Sequence, residues 1–328
     1  MSRETAPAPV PVSTSAPVPV SVPAPVPVSV PVSTSASAPT SGRRPTIAPP
    51  PFRRTAAPAA AALAVTAVAG AHIVPAATWL PGLRRRFFPR LAGTGHPGHV
   101  ALTFDDGPDP VSTPLFLDAL DALRVRATFF VLGESVLRHP EVARETARRG
   151  HELAVHGWTH DRPWLPAPAR DAREVARAAE AVAGVSGLRP RWYRPPYGIL
   201  TSGRWAAARR AGLRPVLWSA WGRDWTPDAT PGSVRGTVGA DLRGGGTVLL
   251  HDTDRVAAPD CWKATLDALP ALVADCRRAG LRVGPLADHG LGAPASDGFR
   301  RRTEGSSRTS LTALPSLHSH GQHPRSAG

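Results

Sequence analysis

Thr103-Phe104-Asp105-Asp106-Gly107-Pro108 closes an apolar run that begins at His99, and at its end two adjacent carboxylates meet a Gly-Pro turn. A short apolar run bounded by a turn reads as a buried strand, 99–104, so Asp105 and Asp106 stand at its C-terminal tip. Successive strand side chains alternate, and the two carboxylates are therefore expected to point in different directions. One can hold a cation while its neighbour accepts a proton. Asp-Asp-Gly-Pro is also ordinary turn chemistry, so the rest of the chain must decide between the two readings.

From about 97 to 290 short apolar runs alternate with amphipathic segments, the pattern of repeated strand-helix units in an α/β fold. Seven strands are expected, at 99–104, 127–132, 152–155, 191–194, 215–219, 246–250 and 281–285. Between them, Ser112 or Thr113 caps a helix with Pro114 in its first turn, and Pro140 begins one that Gly150 ends. A helix over 170–183 stops at Gly184, and Gly212 and Gly280 end two more. Pro270 is expected to kink or split the last helix, 261–279.

The isolated polar residues share one position in this pattern. Asp105 and Asp106 follow the first strand, His156 the third, Arg194 the fourth and His251 the sixth, while Asp224 lies in the loop after the fifth. In a parallel barrel these C-terminal ends gather at one face, where loops build a site. Turn aspartates and core histidines scattered at random would not share an edge.

Each motif has a chemical and a plain reading. In His156-Gly157-Trp158-Thr159-His160 the two imidazoles are four residues apart, and with Asp106 they make a three-ligand set that suits a divalent cation such as zinc. A strand-end histidine followed by a surface one is the plain alternative. In Arg194-Pro195-Pro196-Tyr197-Gly198 two prolines remove backbone donors, leaving the Tyr197 N–H as the first available to an oxyanion, and Arg194 can pair with Asp105. A proline turn alone would read the same way. His251 ends an apolar strand in Leu249-Leu250-His251-Asp252, and Asp224 from the previous loop can hold it protonated. His139, His151 and His289 read as structural or surface residues. Eight of the nine tryptophans lie between 158 and 262, and those on loops, including Trp158, Trp221, Trp225 and Trp262, suit stacking on a sugar face.

The net charge of +14 comes from arginine spread along the chain, with Lys263 the only lysine. No basic stripe with interleaved aromatics supports a nucleic-acid partner. Cys261 and Cys276 are the only cysteines, which excludes thiolate zinc sites and Cys-x-x-Cys redox motifs. On one helix they lie about four turns apart, so two free buried thiols are expected.

These motifs resemble the polysaccharide deacetylase family, carbohydrate esterase family four, which includes chitooligosaccharide deacetylases. The likeness covers roughly 97–290 and rests on Thr-Phe-Asp-Asp-Gly-Pro at 103, Ala-Thr-Phe-Phe at 127 and Gly-His-Glu at 150 leading into His156 and His160. It continues through Arg-Pro-Pro-Tyr-Gly at 194, Asp-Trp at 224 and Leu-Leu-His-Asp at 249. The resemblance implies a distorted barrel of about seven units and a divalent metal, zinc or cobalt, held by Asp106, His156 and His160. It also implies Asp105 as general base, oriented by Arg194; the Tyr197 N–H as oxyanion donor; and His251, tuned by Asp224, as the acid toward the leaving amine. Tyr197, Trp225 and Trp158 are the expected substrate contacts. Where the family often carries a further Asp, three residues before Asp-Trp, this chain has Trp221.

The resulting organisation is a Pro/Ala/Val/Ser-rich leader at 1–54, an apolar signal or membrane-anchor segment at 55–80, a basic linker at 81–96, a catalytic domain at 97–290 and a disordered tail at 291–328. Ala69-Gly70-Ala71 would serve as a cleavage site. The leading expectation is removal of N-acetyl groups from a peptidoglycan or chitin-like glycan by an exported envelope protein. An O-acetyl esterase acting on a xylan-type polymer, a non-catalytic carbohydrate-binding barrel and a cytoplasmic location are the alternatives.

Overall fold

The computed structural model describes residues 57–162 and 165–291, all within one unit of the chain, Thr55–Gly328. The leader 1–54, and the tail beyond Leu291, lie outside the described residues.

Helix α1 (Ala57–Ile73) passes through a 3-10 segment (Val74–Trp79) into α2 (Pro81–Phe87). Strand β1 (His99–Asp105) leads to α3 (Ser112–Leu123). Asp109 Oδ1 accepts from the Val111 and Ser112 N–H groups, both at 2.9 Å, so the cap expected from Ser112 or Thr113 comes from Asp109. Then come β2 (Thr128–Leu132), α4 (Gly133–Arg138), α5 (Pro140–Arg148), β3 (Glu152–Gly157), α6 (Pro168–Ser186) and β4 (Trp192–Tyr193). A 3-10 turn (Pro196–Gly198) precedes α7 (Ser202–Arg210), β5 (Arg214–Pro215) and β6 (Ala220–Trp221). α8 (Pro231–Asp241), β7 (Thr247–His251), α9 (Trp262–Arg278) and β8 (Arg282–Gly284) follow.

All strand pairs are parallel, in the order β5-β4-β3-β2-β1-β7-β6, with β8 paired to the first half of β1. β1 is buried at every residue, as a strand covered on both faces must be, which explains its unbroken apolar run. The expected α/β fold is borne out as a curled, incompletely closed barrel with helices around it. Alternation along the strands sorts its two sides. Val100, Leu102 and Phe104 join Phe129, Val131, Leu153 and Val155 in the large core beneath the helices. There the Phe104 ring lies 5.0 Å from Phe129 and 5.2 Å from Phe116. Ala101, Phe130 and Ala154 form a separate inner cluster with Trp192 and Val216.

Four local expectations are corrected. The run 215–219 is not one strand: β5 ends at Pro215 and β6 begins at Ala220. Its carbonyls face two buried guanidiniums instead of a ladder, Leu217 O accepting from Arg194 Nη2 at 2.9 Å and Trp218 O from Arg84 Nη2 at 2.8 Å. This is where the barrel stays open. Helix α6 runs past Gly184 and ends at Gly187, whose φ of +73° supplies the left-handed cap. Helix α9 is continuous through Pro270, which sits on the exposed side where the freed carbonyl can bond to water. Asp106 has φ +80°, so strand alternation stops there, and Asp105 and Asp106 line one cavity instead of diverging.

Cys261 and Cys276 are free and buried, as expected. The stretch 81–96, read from sequence as a basic linker, carries α2 and buries Arg84, Leu91 and Ala92.

Candidate active site

The C-terminal ends of β1, β3 and β7 open on a cavity of about 730 Å³. Asp105, Asp106, His156, His160, Tyr197, Trp225 and His251 all line it, so the parallel register brings together groups up to 146 residues apart, with Asp105 directly opposite His251.

Three ligating atoms converge at its floor. Asp106 Oδ1 lies 3.2 Å from His156 Nε2 and 3.4 Å from His160 Nε2. His156 Nδ1 meets the Arg194 carbonyl at 2.9 Å, so Nδ1 carries a hydrogen and Nε2 is the atom turned toward Asp106. Burial lowers His160 to about 4, which keeps it neutral. Burial alone would raise Asp106, but His156, His251 and His160 around it hold the carboxyl well below the usual carboxylate range. Both Asp106 oxygens are buried and accept no hydrogen bond. One carboxylate with two imidazole nitrogens converging on it is a donor set that suits a divalent metal. Asp106, His156 and His160 fit such an ion, their ligand atoms lying within 4.8 Å of one another.

Two charged pairs flank this cluster. Arg194 Nη1 donates to Asp105 Oδ1 at 2.6 Å and to Thr103 Oγ1 at 2.9 Å, and its guanidinium lies 4.0 Å from the Phe130 ring centroid. Asp105 is thereby fixed as an acceptor. On the other side His251 Nδ1 lies 2.9 Å from Asp224 Oδ1, while Asp224 Oδ2 accepts from the His251 N–H and from Thr265 Oγ1, each at 2.7 Å. Burial alone would lower His251, but the Asp224 charge and hydrogen bond, with Asp106 and Asp105 behind them, raise it to about 10. Its Nε2 stands 3.9 Å from Asp106 Oδ2.

Tyr197 follows Pro195 and Pro196 at φ +58°, a conformation uncommon for a non-glycine residue and worth noting at a site. Its ring packs edge-on against His160 at 4.3 Å, beneath the Arg162 guanidinium at 4.4 Å. Trp225 packs edge-on to His251 at 5.8 Å. Trp158, expected as a substrate contact, is not at the cavity. It lies one residue beyond β3 and packs over Gly133, under the Arg177 guanidinium at 3.5 Å, on the helix side. The cavity instead takes Trp218 and Trp221 from the tryptophan-rich run and Arg162 and Trp79 from segments that carried no motif.

An open parallel α/β barrel with a three-ligand cluster between an acceptor carboxylate and a held imidazole has the make-up of a barrel hydrolase. The chain belongs to the polysaccharide deacetylase family. That family's profile matches residues 92–216. A chitooligosaccharide deacetylase of Bradyrhizobium sp. (strain ANU 289) is 39% identical over 215 residues, covering 62% of this chain and 94% of that protein. A peptidoglycan-N-acetylglucosamine deacetylase of Bacillus cereus is 32% identical over 192 residues, covering 56% of this chain and 84% of the relative. Among solved structures, a family 4 carbohydrate esterase from Streptomyces lividans in complex with acetate superposes with a TM-score of 0.53 at 31% identity, covering 60% of this chain and 98% of the other.

Proposed function

We propose that this chain is a metal-dependent deacetylase that hydrolyses the N-acetyl group of an N-acetylglucosamine-containing glycan, of peptidoglycan or chitin type. The observation that carries the reading is the Asp106–His156–His160 cluster, set in one cavity between Asp105 on Arg194 and His251 on Asp224. The names of the relatives support the substrate class. Asp106, His156 and His160 would hold a divalent ion, zinc or cobalt. When bound, the ion supplies Lewis-acid polarisation of the acetyl carbonyl and acidifies water.

The chain's own groups divide the remaining work. Asp105, fixed by Arg194 and lining the cavity, accepts the proton of the attacking water. The Tyr197 N–H, which meets no acceptor among the described residues, donates to the developing oxyanion. His251, kept protonated by Asp224, gives its Nε2 proton to the departing amine. Trp225 supplies an aromatic face beside His251.

Residues 97–290 form the catalytic domain in this reading. The segment 55–80 acts as export signal or anchor, which the helical stretch Ala61–Trp79, 19 residues of mean hydropathy 1.6, supports by length and composition. An esterase acting on O-acetyl groups is the second reading, favoured by the likeness to an acetyl xylan esterase from Clostridium thermocellum, at a TM-score of 0.52 and 28% identity. The test is acetate release by the full chain, metal-stripped and then given zinc or cobalt, on N-acetylglucosamine oligomers and on acetylated xylan in parallel. Metal-restored release from the oligomers supports the amidase. Release from xylan alone moves the protein to the esterase reading, and metal bound without release from either would leave a binding barrel.

A further inference from the structure

One wall of the cavity comes from chain that precedes the family-matched residues 92–216. Trp79, the last residue of the 3-10 segment, lines the cavity together with Ala76. Its indole abuts Gly198, where an added Cβ would lie 3.3 Å from Trp79 Cδ1 and 2.6 Å from Trp218 Cη2. Gly198 sits at φ +69° directly after Tyr197, so the two indoles close on the turn that carries the oxyanion donor.

The segment is held in place. Arg84, 1% exposed, donates from Nη1 to Thr78 O at 2.8 Å and to Trp79 O at 3.2 Å, and from Nη2 to Trp218 O at 2.8 Å. Thr78 is buried and donates to Pro75 O, and His72 is buried beside Gly203 at the start of α7. Between these fixed points Trp79 itself stays 47% exposed. An indole whose backbone is held by Arg84, resting on Gly198 and lining a cavity with its free surface, is a ready platform for the apolar face of a pyranose ring.

We propose that Trp79 is a substrate-binding residue that stacks on a sugar unit next to the one losing its acetyl group, and that the segment ahead of the family's matched region thereby sets oligomer-length preference. This rests on the glycan reading above. A cut at Ala69-Gly70-Ala71 would leave Trp79 on the chain, so a cleaved form keeps this wall.

The test uses the full zinc-loaded chain with Trp79→Ala and Trp79→Phe, on N-acetylglucosamine dimer and pentamer. Trp79→Ala is expected to raise KM for the pentamer about 10-fold, less for the dimer, with the effect in KM rather than kcat and with the melting temperature held; Trp79→Phe recovers most of it. Calorimetric titration of the pentamer into the Asp105→Asn chain, with and without Trp79→Ala, reads affinity apart from turnover. Pentamer binding that Trp79→Ala leaves unweakened would overturn the proposal alone. No pentamer binding by the Asp105→Asn chain would overturn the glycan reading with it. A Trp79→Ala effect confined to association with lipid vesicles would make Trp79 a membrane-interface residue and overturn the proposal too.

Discussion

Arg194 Nη1 and Asp105 Oδ1 lie 2.6 Å apart with both side chains buried. A carboxylate so held cannot swing to bind a cation and cannot easily give up its acceptor geometry, which suits a base. Asp105→Asn keeps the shape and removes the basicity. Acetate release is expected to fall about 10²–10⁴-fold while metal content stays at the wild-type level. Parallel metal analysis and turnover decide it: near-normal turnover would remove Asp105 from the base role.

In the proposed reaction His251 should set the alkaline limit. Its pKa of about 10 depends on Asp224, and it must be protonated to act as an acid. Activity requiring His251-H⁺ is present below that pKa and lost as pH rises through it. Asp224→Asn removes the charge, so the alkaline limb of the kcat profile is expected to move down by about 1–3 pH units. An unmoved limb would separate the two residues functionally.

Metal binding should be readable as stability. An ion bound only by the folded state at 100 times its Kd adds about 2.7 kcal/mol. For a domain of about 200 residues that is a rise of roughly 5–10 °C in Tm. His160→Ala removes one ligand, and the zinc-dependent rise should shrink or vanish. Because His318, His320 and His323 can also take metal, the comparison is made with those three changed to Gln. A full zinc response in His160→Ala would place the ion elsewhere.

Most of this site was legible because a parallel strand delivers its last residues to one rim. Asp105, His156, Arg194 and His251 each end an apolar run, and that alone placed them together. The direction of Asp106 was not legible, since alternation holds only inside a strand and its φ of +80° lies one residue beyond. The run 215–219 misled because its apolar side chains do pack inward, while its carbonyls are taken by Arg194 and Arg84, partners far away in sequence. Trp79 lay hidden in a stretch whose composition also suits a membrane, and nothing local marks one face of it as a cavity wall.

At the opposite end of β1, His99 Nδ1 and His289 Nδ1 lie 2.8 Å apart, and His289 Nε2 meets Gly93 O and Gly245 O, each at 3.0 Å. His289 therefore carries its hydrogen on Nε2 and accepts from His99, and both rings are neutral. Burial lowers His99 and His151 to about 4, against about 6.5 in an unfolded chain. Between those values the unfolded state binds protons that the native state refuses. The contribution of these two imidazoles, His99 and His151, should be complete above about pH 6.5 and be lost as pH drops toward 4. His251, raised to about 10, takes stability away as pH rises above about 6.5, and Asp252, raised by burial to about 7, opposes the histidines on the acid side. Urea unfolding of the metal-stripped chain across this window, beside a His151→Gln chain, checks the sign; a wild-type midpoint that falls no more steeply on acidification than that of His151→Gln would contradict it.

Arg84 should matter more to folding than to chemistry. It is the sole side-chain donor described for Thr78 O, Trp79 O and Trp218 O, so Arg84→Met keeps much of its apolar length and strands carbonyls that water cannot readily reach. Leaving them unpaired costs about 3 kcal/mol in total, roughly 6–12 °C in Tm. The same loss frees the backbone at Trp218, whose neighbour Leu217 O accepts from Arg194, so the hold on Asp105 loosens and kcat falls together with Tm. Trp79→Ala, by contrast, should raise KM with Tm held. Differential scanning calorimetry beside steady-state kinetics separates the two patterns, and an Arg84→Met chain as stable as the parent would show that this guanidinium does not fasten the segment.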